Sequence, residues 1–74
     1  MKGNIGDKIK LINEVCYGNV YGLIEVEKDT EMTVISRDST NEGVITDFII
    51  TSKNPYFKGT INVHVWDKDY VVIS

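Results

Sequence analysis

From Thr60 to Trp66 the chain alternates strictly, with Ile61, Val63 and Val65 on one side and Thr60, Asn62, His64 and Trp66 on the other. A period of two is the signature of a half-buried strand. A polar break, Asp67-Lys68-Asp69, separates this run from a last apolar stretch, Tyr70 to Ile73. A strand, a tight turn and a short closing strand are not stable as an isolated pair, so this ending commits the chain to a larger sheet.

Upstream segments supply the partners. Lys8 to Val15 places Ile9, Leu11 and Val15 opposite Lys8, Lys10 and Glu14, with Ile12 as the apolar exception, and reads as a first strand. Cys16 to Gly22 mixes two glycines, an asparagine, Tyr17 and Tyr21, which predicts the start of a long folded-back loop. Leu23 to Ser36 carries two apolar stretches around the polar corner Glu27-Lys28-Asp29-Thr30, with Ile24, Val26, Met32 and Val34 on the expected buried face. Arg37 to Gly43 is dense in turn formers and predicts a hairpin connection into Val44 to Thr51. That strand is apolar on both sides (Val44, Phe48 and Ile50 against Ile45 and Ile49), as in a central strand covered twice. Asn54-Pro55 ends it, and Tyr56 and Phe57 are expected to fold back over one end of the core. No long apolar pattern at helical spacing is present, and β-branched residues fill the periodic runs.

With 74 residues the chain has room for one domain, whose core leaves a net stability of roughly 3–5 kcal/mol. Its 42% hydrophobic and 26% charged residues lie outside the regime of disorder. A net charge of −3, with Arg37 as the sole arginine, argues against a broad basic face for nucleic acid. The single cysteine forms no internal disulfide, and neither a signal-like apolar run nor a membrane-length segment is seen, so the expected setting is cytoplasmic, without a membrane partner.

Several stretches together resemble an SH3-like small β-barrel. Gly22 to Ser36 looks like the second half of an RT loop with its diverging turn and second strand. Gly59 to Ser74 looks like the closing strands, with Asp69-Tyr70-Val71 similar to the tyrosine-valine after the short 3₁₀ turn. The opening Ile5 to Ile12 is similar to the start of many small bacterial and phage-encoded SH3-like proteins. The resemblance implies a five-stranded barrel with a 3₁₀ turn at Asp67 to Asp69. It does not bring the proline-peptide groove with it: the aromatic first-strand motif, the paired tryptophan and the proline before the closing turn are missing, and of that groove only Tyr70 matches. An OB-like barrel is the alternative, although Ser52 to Gly59 is too short for the helix it commonly carries.

Candidate partner-binding residues follow from exposure and charge. Trp66 and His64, beside Asn62, form an interaction surface if their face is open, because tryptophan is enriched where interfaces concentrate energy. If the strand curls, Trp66 covers a core edge instead. Glu25, Glu27, Asp29 and Glu31 form the densest charge feature, either receiving a basic segment or serving as a solvated turn that protects a strand edge. Tyr17 and Tyr21 either cap the barrel or line a groove with Tyr70. Cys16 reads as a small apolar filler.

Catalytic patterns are lacking. His64 is the only histidine, a Cys16–His64 dyad has no supporting motif, Asp67-Lys68-Asp69 is short of ligands for calcium, and no phosphate-binding glycine loop occurs. The sequence therefore reads as one all-β domain over residues 1–74, a five-stranded SH3-like barrel after a flexible start at 1–7. Its expected role is non-catalytic binding of another protein, without cofactor or metal. A stand-alone acidic barrel suits a phage or mobile-element accessory factor that blocks a larger protein. Nucleic-acid binding through exposed aromatics and a homo-oligomer built on strand edges are the other readings.

Overall fold

The computed structural model describes residues 2–17, 24–52, 55–56 and 59–74. Among the described residues seven strands are formed: β1 (Lys8–Leu11), β2 (Val15–Tyr17), β3 (Ile24–Val26), β4 (Glu31–Arg37), β5 (Gly43–Thr51), β6 (Thr60–Trp66) and β7 (Tyr70–Val72), with a 3₁₀ turn at Asp67–Asp69. Five make one antiparallel sheet in the order β6-β5-β4-β1-β7, and β2 pairs with β3 in a separate two-stranded sheet. Among the described residues no helix is long and apolar enough to cross a membrane.

The alternation of β6 is realised as expected, with Val63 and Val65 fully buried and Ile61 half-buried. Strands β6 and β7 do not pair with each other. The 3₁₀ turn carries the chain from one edge of the sheet to the other, where β7 meets β1 with Leu11 opposite Tyr70 and Ile9 opposite Val72. The core gathers Ile9, Leu11, Val26, Met32, Val34, Val44, Ile50, Val63, Val65 and Tyr70, drawing on both sheets. Burying such side chains contributes about 1.5–3 kcal/mol each before chain entropy is subtracted.

The first strand is shorter than its sequence pattern. It ends at Leu11 because two apolar residues in succession cannot share one face, and the chain turns there: Ile12 N donates to Asp69 O at 2.9 Å while Leu11 O accepts from Asp29 N at 2.9 Å. Val15 then opens β2. The corner before β4 sets Asp29 at φ 71°, and the β4–β5 turn sets Asn41 at φ 59°. Both are residue types that enter the left-handed region at low cost.

Strand β5 is not covered on two sides. Ile49 is 57% exposed and Ile45 only half-buried, so its second apolar face is uncovered, and Phe48 on the first face is 37% exposed. Val44, Thr46 and Ile50 keep the inward face on both sides of a bulge: between Ile45↔His64 and Ile49↔Asn62, Thr46 to Phe48 lie opposite Val63 alone, and Phe48 is left exposed there. Buried Thr46 holds this irregularity, its Oγ1 donating to Val63 O at 2.8 Å, while Asn62 Nδ2 donates to Thr46 O at 2.9 Å. Tyr56 does not fold over the core, being 96% exposed, and Phe57 lies outside the described residues. Residues 2–7 are held by hydrogen bonds from their backbone: Gly3 N donates to Tyr70 Oη at 2.7 Å, and Gly6 N to Val34 O at 2.8 Å.

Candidate functional site

The register of β5 against β6 sets Gly43 opposite Trp66 and Ile45 opposite His64. A Cβ on Gly43 would lie 2.7 Å from His64 Nε2 and 2.9 Å from Asp38 Oδ2, so the missing side chain leaves the space in which these two meet. They are 2.7 Å apart. Asp38 Oδ1 also accepts from Thr40 Oγ1 at 2.9 Å and from Glu42 N at 3.0 Å. The hydrogen bond from His64, helped by those from Thr40 and the backbone of the turn, holds the Asp38 carboxyl well below the usual carboxylate range. His64 in turn fixes Trp66: their rings meet edge to face, with centroids 4.6 Å apart and an interplanar angle of 84°.

Trp66 is 46% exposed, so it belongs to the surface. One side of it faces a cleft of about 220 Å³ lined by Glu14, Val15 and Cys16 from the β2 arm, His64 and Trp66 from β6, and Asp69 from the 3₁₀ turn. Asp69 is oriented by Asn13 Nδ2, which donates to its Oδ1 at 2.9 Å. Trp66 also lines a second hollow, of about 470 Å³, with Lys2, Glu42, Asp67 and Lys68.

A second polar assembly supports the floor of the site. Arg37, near the end of β4, grips Asp67 with two prongs, Nη1 to Oδ1 and Nη2 to Oδ2, both at 2.7 Å. Its remaining donors reach Asn41 O at 2.7 Å, Asn41 Oδ1 at 3.0 Å and Gly3 O at 3.2 Å. The planar fork of arginine suits this geometry in a way a lysine ammonium does not. Arg37 pushes the Asp67 carboxyl down, and burial together with the hydrogen bond to Asp67 pushes the Tyr70 phenol up. Tyr70, matched to a groove aromatic by resemblance, is instead 3% exposed and bound to Gly3 and Asp67. It is a core residue because its ring is needed opposite Leu11.

The other candidates disperse. Glu25, Glu27, Asp29 and Glu31 are all exposed, but they do not act as one acidic patch: Glu31 lies 3.6 Å from Lys8 and Asp29 4.0 Å from Lys10, both lysines of β1. Glu25 sits opposite Cys16 in the β2–β3 pair and, with Glu14 and Cys16, places three possible ligand atoms within 4.8 Å of one another. Cys16 is exposed rather than a core filler, and its Sγ donates to Glu14 Oε1 at 3.2 Å. That hydrogen bond pushes the thiol up, so any metal there would first have to displace a proton that Glu14 helps retain. Asn62 is committed to Thr46. Tyr17 contributes to β2, while Tyr21 lies outside the described residues.

Sequence reading found Trp66 and His64 but missed Glu14, Asp38 and Asp69. Glu14 and Asp69 were read only as strand and turn polarity, and Asp38 as a turn former, because their meeting depends on strand order. No family model, curated protein or solved structure matches the chain.

Proposed function

We propose that this chain is a non-catalytic protein-binding module built as an SH3-like small barrel, and that its partner presents a basic segment to the cleft beside Trp66. Support for the barrel comes from the strand order β6-β5-β4-β1-β7, the β2–β3 arm inserted between β1 and β4, and the 3₁₀ turn at Asp67–Asp69. Such a barrel would suit an accessory factor acting on a larger protein. The observation that carries the binding reading is the half-exposed Trp66, held edge-on by the His64–Asp38 pair above a cleft with Glu14 and Asp69 in its walls. An aromatic face flanked by carboxylates attracts lysine and arginine side chains through the ring quadrupole and through charge.

Trp66 is the only tryptophan, so its emission reports on the cleft directly. Titration with arginine-containing peptides is expected to shift that emission, and Trp66→Ala is expected to abolish binding by calorimetry while far-UV circular dichroism stays unchanged. Equal peptide affinity in folded Trp66→Ala would sink the reading.

A further inference from the structure

Trp66 lines two recesses of opposite character. The cleft on its β2 side carries Glu14 and Asp69, with Glu25 grouped beside Glu14, and among the described residues no lysine or arginine lines it. The second hollow carries Lys2 and Lys68 against Glu42 and Asp67. Asp67 adds little outward charge, because both its oxygens are taken by the two prongs of Arg37. The hollow therefore presents two ammonium groups against the single carboxylate of Glu42. Lys2 is steadied there, its Nζ donating to Asn41 O at 3.1 Å.

One indole thus lines an acidic recess and a lysine-flanked one. We propose that the segment bound across Trp66 is charge-polarised, with a basic side chain in the Glu14/Asp69 cleft and an acidic side chain in the Lys2/Lys68 hollow. This rests on the protein-binding reading above and adds to it a direction and a composition. A uniformly basic segment would put a positive charge against Lys2 and Lys68, and like charges in apposition select against such a partner. Chain direction is fixed by the same asymmetry, since reversing the peptide brings each end to a recess of its own sign.

The test uses the full chain and short synthetic peptides carrying one arginine and one glutamate at several separations, in both orders. Counterparts have either residue replaced by glutamine. In the best-bound order, glutamate to glutamine is expected to weaken binding about threefold, the size of an exposed charge pair. Lys68→Glu is expected to reverse the preference toward a peptide with lysine in place of that glutamate, and Glu14→Lys to remove the dependence on arginine. Circular dichroism confirms that both exposed substitutions leave the fold intact. If arginine matters but glutamate and glutamine bind alike in either order, the polarity is overturned and the basic-segment reading stands. If no peptide alters Trp66 emission, both fall, and quenching by single-stranded DNA would then assign the surface to nucleic acid.

Discussion

Asp38 Oδ2 lies 2.7 Å from His64 Nε2, in the space that a side chain on Gly43 would occupy. The pair connects the β4–β5 turn to the last part of β6, and Trp66 leans on it edge to face. The orientation of the exposed Trp66 ring is therefore set by a residue that has no side chain. Gly43→Ala is expected to force the pair apart and to destabilise the domain by about 1–3 kcal/mol, the usual cost of overpacking. Urea unfolding gives the loss, and a red-shifted Trp66 emission in the folded variant reports the freed ring. A variant with unchanged stability and emission would show that the turn yields without cost.

Acid should weaken the fold through two carboxylates. Asp38 and Asp67 are both pushed below their ordinary value, by His64 and by Arg37 respectively. Below about pH 4 the unfolded chain takes up protons that the folded one resists, so stability is present above that range and falls as pH drops through it. The expected result is a urea midpoint that declines steadily from pH 4 downward. In Asp67→Asn the decline should be shallower, from a lower starting midpoint. An equal acid slope in the variant would remove Asp67 from the account.

What the sequence revealed and what it concealed divide along one line. The inward face of β6, the corner at Asp29 and the polar break at Asp67–Asp69 were legible because each is written in neighbouring residues. Strand β5 was misread because apolar residues on its second face, Ile45 and Ile49, do not reveal whether anything covers them, and a bulge that leaves Phe48 exposed between buried Thr46 and Ile50 has no local mark. The site was half legible. Trp66 and His64 are neighbours in sequence, whereas Asp38 joins them only through the β5–β6 register, and Glu14 and Asp69 only because β1 and β7 lie together and the β2 arm folds toward the end of β6. Tyr70 shows the converse: the resemblance offers it as a groove aromatic, whereas its side chain is buried and hydrogen-bonded to Gly3 and Asp67.

The bulge itself depends on one hydroxyl. Thr46 is fully buried, and its Oγ1 donates to Val63 O while accepting from Phe48 N at 3.3 Å. Thr46→Val keeps the shape and removes both contacts, leaving a buried carbonyl without its donor. The expected cost is about 1–3 kcal/mol, a large share of the stability of so small a core, read from urea unfolding. A variant as stable as the parent would show that the β5 irregularity is held by packing alone.

Cys16 makes the last prediction, and it concerns reactivity. The thiol is exposed, which alone would make it easy to alkylate, but its hydrogen bond to Glu14, with the charges of Glu14 and Glu25 adding to the effect, pushes its pKa up. Reaction proceeds through the thiolate, so a raised pKa lowers the reactive fraction at neutral pH. Iodoacetamide should therefore label Cys16 more slowly than it labels a cysteine in an unstructured peptide. Glu14→Gln should accelerate labelling and move the midpoint of its pH–rate profile downward, because the substitution removes the charge that favours the protonated form and leaves only a weaker, neutral acceptor. The direction separates electrostatics from access: if Glu14→Gln changes the plateau rate at high pH but not the midpoint, then Glu14 acts by blocking approach, and the hydrogen bond does not govern the thiol.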